Sequence, residues 1–233
     1  MEINEFVEEL NKINIFPTKE QLDLLDNYYN IVVEENKHMN LTGITEKKEF
    51  YLKHFYDSLT LIKEIDLTKK LTLCDVGSGA GFPGIVLKIV FPNLQITLID
   101  ALQKRVNYLN EIIKDLELTD IVAIHARSEE YAKDNYEKFD IVTARAVANL
   151  RVLAEICLPM VKVNGYFVAM KSTVEDEIND AKSILKALNS EIVSINSFTL
   201  PVENSLRNLV KIRKNDKTNH KYPRKYDKIK KSK

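Results

Sequence analysis

Asp75-Val76-Gly77-Ser78-Gly79-Ala80-Gly81-Phe82-Pro83-Gly84 is the stretch of this chain best suited to hold a small ligand. An apolar run at 71–74 precedes it and another at 85–90 follows. A strand that turns through glycines into a helix brings backbone close to a nucleotide-like ligand. Two frames compete. Gly79-Ala80-Gly81-Phe82-Pro83-Gly84 fits G-x-G-x-x-G, in which helix N–H groups face a pyrophosphate. Asp75 with Gly77, Gly79 and Gly81 fits acidic-x-G-x-G-x-G, the loop associated with S-adenosylmethionine (SAM). SAM has no phosphate and carries an ammonium, a carboxylate and a sulfonium, so an acid at the strand end suits it. The run at 94–99 ends in Asp100, one βα unit later. A carboxylate there accepts ribose hydroxyls from either cofactor and does not discriminate between them.

Further residues fall where open α/β sheets place ligands. Arg145 follows the apolar run 139–144, at a strand's C-terminal end, and can fork onto an anion or stack on a base. Ser128-Glu129 follows the run 121–125, a position bordering adenine in the methyltransferase fold, with a plain helix N-cap by Ser128 as the alternative. His54, Asp57 and Ser58 share one helical side; without a G-x-S-x-G elbow they are expected to cap or wall a pocket. Lys171 ends a strand, and Arg207, Lys211 and Arg213 share one face of the last one, a candidate phosphate track. The four histidines lack metal-ligand spacing, and no metal is expected.

The elements that must position these residues alternate. Strand-like runs fall at 71–76, 94–99, 121–125, 139–144, 164–171, 191–199 and 206–213. Helix-like stretches lie between the first six, which predicts a doubly wound parallel sheet. The last two strands meet across Leu200-Pro201-Val202-Glu203-Asn204, an antiparallel hairpin. The expected architecture is α/β: a Rossmann-like methyltransferase fold with a mostly parallel seven-stranded sheet and an antiparallel edge hairpin. Helical spacing at 2–14, 18–36 and 46–64, with Thr18 and Gln21 as a capping box, gives an N-terminal helical extension. The division is 1–66 extension, 67–214 SAM-binding core, and 215–233 basic, flexible tail.

Composition sets bounds. The 233 residues, 45% hydrophobic and 29% charged, are those of a soluble globular chain. No apolar run approaches a membrane span, and the acidic start lacks a signal peptide's basic and apolar regions, so a cytoplasmic protein is expected. Cys74 and Cys157 sit in apolar runs and read as buried free thiols. Net charge is zero but uneven: residues 1–36 hold nine acids and two Lys, while residues 211–233 hold eleven Lys/Arg and two Asp. A tail so basic attracts polyanions.

Absences narrow the chemistry. Pyrimidine C5 methylation needs an exposed nucleophilic Cys, and exocyclic amine methylation uses an Asn/Asp-Pro-Pro-aromatic loop. The chain contains no Pro-Pro. An already nucleophilic target such as guanine N7 needs alignment rather than a base. At these residues the chain resembles the RsmG family, also called glucose-inhibited division protein B, bacterial methyltransferases of small-subunit ribosomal RNA. The resemblance covers about residues 30–225. It lies in Asn36-Lys37-x-x-Asn40-Leu41-Thr42, His54-x-x-Asp57-Ser58-Leu59, the Asp75–Gly84 loop, Ala144-Arg145-Ala146-Val147-Ala148 and Tyr222-Pro223-Arg224-Lys225. It implies SAM-dependent methylation of guanine N7 in a hairpin loop of 16S rRNA, with Gly77, Phe82, Asp100, Ser128, Glu129 and Arg145 lining the SAM site. Lys171, Arg207, Arg224 and Lys225 are expected to orient the RNA, and a monomer is expected. Where the family has Ala at 128 this chain has Ser. After Lys225 the family continues with a Gly- and Pro-containing basic segment, while this chain reads Tyr226-Asp227-Lys228-Ile229-Lys230-Lys231. The rival readings are a NAD-linked dehydrogenase and a non-catalytic RNA-binding protein on a SAM fold.

Overall fold

The computed structural model describes residues 1–231. Seven strands form one sheet in the order β3-β2-β1-β4-β5-β7-β6. They are β1 (Thr72–Val76), β2 (Gln95–Asp100), β3 (Ile121–His125), β4 (Phe139–Arg145), β5 (Val161–Lys171), β6 (Ser190–Thr199) and β7 (Leu206–Lys214). All neighbours from β3 to β5 run parallel, and β7 lies antiparallel between β5 and β6. The helices that follow the first five strands are α5 (Gly84–Val90), α6 (Gln103–Asp115), α7 (Ser128–Asp134), α8 (Leu150–Cys157) and α9 (Glu175–Ala187). Strand order reverses at the β1–β4 pair, where Val76 registers with Ala144. The turn after β1 and the end of β4 therefore flank one crevice, the place where such sheets bind ligands.

The N-terminal extension is built of α1 (Ile3–Lys12), α2 (Lys19–Met39) and a third helical run. That run passes through α3 (Lys47–Phe50), a π-helical stretch (Tyr51–Tyr56), α4 (Asp57–Leu59) and a final 3-10 turn (Thr60–Lys63). The capping box forms as read: Thr18 Oγ1 accepts from Gln21 N at 3.2 Å and Gln21 Oε1 accepts from Thr18 N at 2.9 Å. Gln21 also reaches the core, donating to the carbonyls of Ile89 and Val90 at the end of α5. Leu25, Tyr28 and Val32 of α2 share one apolar cluster with Leu73, Ile85 and Leu98 of the core. The helices thus add their buried face to the sheet's own core.

Cys74 and Cys157 are fully buried and unpaired in a second cluster, under β4 and α8. The tail does not remain free over its described length. It ends in α10 (Tyr226–Lys231), with Ile229 fully buried and Arg224 paired to Glu155 of α8. Apolar contact and a buried carboxylate hold a segment whose lysine content alone reads as solvated. Ser232 and Lys233 lie outside the described residues. Among the described residues no helix is long and apolar enough to cross a membrane.

Candidate functional site

The glycine turn is latched to the neighbouring strand by backbone hydrogen bonds. Gly77 N–H and Ser78 N–H both donate to Ile99 O of β2, at 2.8 and 3.1 Å. Gly77 sits at φ +73°, and a Cβ there would come within 2.6 Å of Val147 Cγ2. Only glycine lets the turn pass this close to the end of β4. Asp100 accepts Gly79 N–H at 3.0 Å on one oxygen and Leu102 N–H at 2.9 Å on the other. Those bonds aim a buried carboxylate along the crevice floor.

The crevice measures about 400 Å³ and is lined by Gly77, Asp100, Leu102, Arg105, Ser128, Glu129, Ala146, Val147, Ile156 and Tyr226, among others. Of the residues read as cofactor-binding, Gly77, Asp100, Ser128 and Glu129 do line it. Asp75, Gly79, Gly81, Phe82 and Arg145 do not, and Arg145 turns instead into a neighbouring cavity. Asp75 lies beneath the turn, fully buried, with Oδ2 accepting Gly84 N–H at 3.0 Å and Oδ1 without a partner. Burial raises its carboxyl to about 6, against the pull of the Gly84 bond. Its role in the structure is to pin the start of α5 to the end of β1. Gly84, the last glycine of the dinucleotide frame, faces Leu98 and Asp75 rather than the crevice. Its lack of a side chain serves helix packing, not a pyrophosphate. Ser128 is not an N-cap either: Arg127 holds that position, leaving the Ser128 hydroxyl without a capping duty.

A second cavity, about 340 Å³, opens on the other side of the end of β4. Lys53, His54, Asp57, Arg145, Met170, Lys171, Arg207 and Asn208 line it, and Ala146 lines both cavities. The lining carries four cations, Lys53, Arg145, Lys171 and Arg207, against one carboxylate, Asp57. Asp57 is buried and shared: Oδ2 accepts from Arg145 Nη1 and Oδ1 from Arg207 Nε, each at 3.1 Å. Arg145 Nη1 also donates to Lys53 O at 2.9 Å, and its guanidinium lies 5.3 Å from the centre of the Phe82 ring.

His54 completes the cradle. Its Nδ1 lies 3.2 Å from Arg145 Nη2 and its Nε2 2.7 Å from Thr42 Oγ1, while its ring stacks on Phe82 at 4.4 Å. A guanidinium can only donate, so Nδ1 accepts and the ring proton sits on Nε2. Burial, reinforced by the Arg145 charge, lowers the imidazole to about 3. Neutral His54 is a holder of Arg145. Thr42 is fixed in turn: Asn36 Oδ1 accepts from Leu41 N at 2.6 Å and Thr42 N at 2.8 Å. A chain of contacts thus runs Asn36–Thr42–His54–Arg145–Asp57–Arg207, and Phe82 joins it to the glycine turn.

The sequence placed His54, Asp57 and Ser58 on a pocket wall but not on Arg145. For His54 and Asp57 that partner lies about ninety positions away and no local pattern announces it, whereas Ser58 only donates back to His54 O within the helix. The signal that existed was their position on a helix with no metal or nucleophile to serve. Among the cations read as RNA-facing, Lys171 pairs with Glu177 at 2.9 Å, Arg207 with Asp57, and Arg224 with Glu155. Lys225 is exposed. Lys211 donates to Glu64 O and Arg213 to Asn164 Oδ1, so the last strand presents anchored cations.

The crevice fits SAM on three observations: a close-approach glycine at the strand end, a buried carboxylate held by backbone donors, and an α7 start that leaves a hydroxyl open. Comparison with known proteins agrees. A model of the GidB family, described as rRNA small subunit methyltransferase G, matches residues 21–210. Ribosomal RNA small subunit methyltransferase G of Bacillus subtilis strain 168 is 48% identical over 228 residues, 97% of this chain and 95% of that protein. The Bacillus cytotoxicus protein of the same name is 47% identical over the same shares. Among solved structures, M. jannaschii TYW2 in complex with AdoMet gives a TM-score of 0.53 at 15% identity, over 68% of this chain and 76% of that one. TrmN from Thermus thermophilus gives 0.53 at 12% identity, over 70% and 53%. Those two likenesses are of fold alone. With the match spanning the glycine turn, the Arg145 cradle and the sheet between them, the chain belongs to the GidB family, rRNA small subunit methyltransferase G.

Proposed function

We propose that this protein transfers the methyl group of SAM to N7 of a guanine in a hairpin loop of 16S rRNA, acting as a monomer in the cytoplasm. The observation that carries the reading is the pair of cavities meeting at Ala146, one fitted to SAM and one lined by cations that include Arg145. SAM supplies an electrophilic methyl on a sulfonium; the N7–carbon bond forms as the carbon–sulfur bond breaks, and its electron pair stays on sulfur. No proton leaves guanine N7, so the chain needs no general base.

The site is built accordingly. Asp100 accepts from the ribose hydroxyls, Gly77 lets the cofactor lie against backbone, and Ser128 and Glu129 border the adenine. Arg145, fixed by Asp57, His54, Lys53 O and Phe82, positions the base at the mouth between the cavities. Its role is alignment, which is where methyl transfer to an intrinsic nucleophile gains most. Asp75 supports this from below by fixing the glycine turn. Lys171 and Arg207 on the target side, with Arg224 and Lys225 in the tail, orient RNA through its phosphates.

The test is methyl transfer from labelled SAM to small ribosomal subunits that lack the modification, mapped by strand cleavage specific for N7-methylguanine. One cleavage in a hairpin loop of 16S rRNA is the expected result. Label at another atom or nucleotide would overturn the target. Absence of label on naked rRNA and on subunits, with SAM bound, would overturn the activity.

A further inference from the structure

The cofactor crevice has a wall that the glycine loop and the strand ends do not supply. Tyr226, the first residue of α10, lines it with Gly77, Asp100, Glu129 and Ile156. At six residues α10 is too short to persist without tertiary contacts. Those contacts are present. Glu155 of α8 is fully buried and receives the Arg224 guanidinium as a fork, Nε at 2.8 Å and Nη2 at 2.6 Å. The Arg224 backbone N–H adds a third bond to the same carboxylate at 3.0 Å. Arg151 of α8 donates to Ile229 O at 2.9 Å, Ile229 is fully buried, and the Tyr136 hydroxyl donates to Tyr222 O.

A buried carboxylate is costly without a partner. Here the partner is in the tail, so undocking the tail would strand Glu155. We propose that Tyr226 is a cofactor-binding residue whose ring packs on the adenosine part of SAM, held there by the Glu155–Arg224 clamp. The adenosine end is indicated by its neighbours, since Asp100 and Glu129 border the ribose and adenine. An aromatic face beside a purine is a favourable contact at low entropic cost. The inference rests on the assignment of the crevice to SAM.

The chain has no tryptophan, so Tyr226→Trp creates a single tryptophan that can be excited selectively over the tyrosines. Its fluorescence is expected to change on saturation with SAM or S-adenosylhomocysteine. Phe16→Trp, at a residue 70% exposed in the α1–α2 connection, is expected not to respond. By calorimetry, Tyr226→Ala should weaken SAM binding about tenfold, as for loss of one base–aromatic stack. Tyr226→Phe should stay within about twofold. Glu155→Ala should weaken SAM binding by the same factor as Tyr226→Ala, and the double variant should be no weaker than either. Failure of the wild-type protein to bind SAM would sink the crevice assignment itself. Wild-type binding with a silent Tyr226→Trp reporter and an unaffected Tyr226→Ala would overturn this inference and leave the assignment standing. Multiplied losses in the double variant would overturn the clamp.

Discussion

Asp57→Asn tests whether one buried carboxylate aligns two arginines in the cation-lined cavity. Asn keeps one carbonyl acceptor and the volume but removes the charge. One of the two 3.1 Å bonds, to Arg145 or to Arg207, is lost. A hydrogen bond to a charged group contributes about 1.5–3 kcal/mol. Two guanidiniums then face each other without the anion between them, which adds to the loss. If Arg145 aligns the target base, that energy appears as a fall in kcat/KM toward rRNA of roughly 10- to 150-fold. Stability should fall by about 2 kcal/mol, near 4–8 °C in melting temperature for a chain of this size. SAM affinity, read by calorimetry, should change little, because Asp57 lines the cation-rich cavity and not the crevice beside Gly77 and Asp100. Arg207→Met should reproduce part of the loss, and the double variant should lose less than the sum, a coupling of about 1 kcal/mol or more. Wild-type turnover in Asp57→Asn, or strict additivity in the cycle, would rule out that alignment role.

Three other tests probe the supporting structure. Asp100→Ala should raise the Kd for SAM about 10- to 100-fold by calorimetry, from loss of a charged acceptor, while kcat at saturating SAM falls far less. Gly84→Ala puts a Cβ 2.2 Å from Leu98 Cδ2 and 3.0 Å from Asp75 Oδ2. It should cost about 1–3 kcal/mol in thermal melts, whereas Gly43→Ala, with nothing within 4 Å, should be neutral. The pH dependence of stability separates His54 from Asp75. His54, lowered from 6.5 to about 3, contributes stability that is complete above pH 6.5 and is lost as pH falls toward 3. Asp75, raised from 3.8 to about 6, contributes stability that is complete below pH 3.8 and is lost as pH rises through 6. In urea titrations between about pH 4.5 and 6, Asp75→Asn should therefore steepen the loss of stability on acidification and His54→Gln should reduce it. Parallel pH slopes in the two variants would contradict both assignments.

Much of the fold was legible because strand, glycine turn and helix signal themselves locally. Each of the seven strands formed within a few residues of its predicted run, and the Thr18–Gln21 capping box formed as read. The antiparallel partner of the last strand followed from the short link at 200–204. That β7 would insert between β5 and β6 was not legible, since pairing partners are chosen by the sheet as a whole. The tail was misread for the same kind of reason. Its lysines announce a solvated end, and its anchors, Arg224 to Glu155 and Ile229 among the α8–α9 apolar residues, lie about 70 positions from their partners.

Residue type and spacing alone were enough for the α/β alternation, the glycine turn after β1, Asp100 at the end of β2 and Arg145 at the end of β4; the choice of SAM over a dinucleotide came with the family resemblance. Each depends on a pattern within a dozen positions, where backbone geometry ties neighbours together. What each residue touches there came from the folded chain. Folding moved Asp75 beneath the turn, made His54 and Asp57 the holders of Arg145, and set Ala146 as the seam between two cavities. It also brought Tyr226 to the crevice beside Gly77 and Asp100. These are long-range contacts fixed by packing and by pairing of buried charge, and no local spacing records who meets whom once the core has closed.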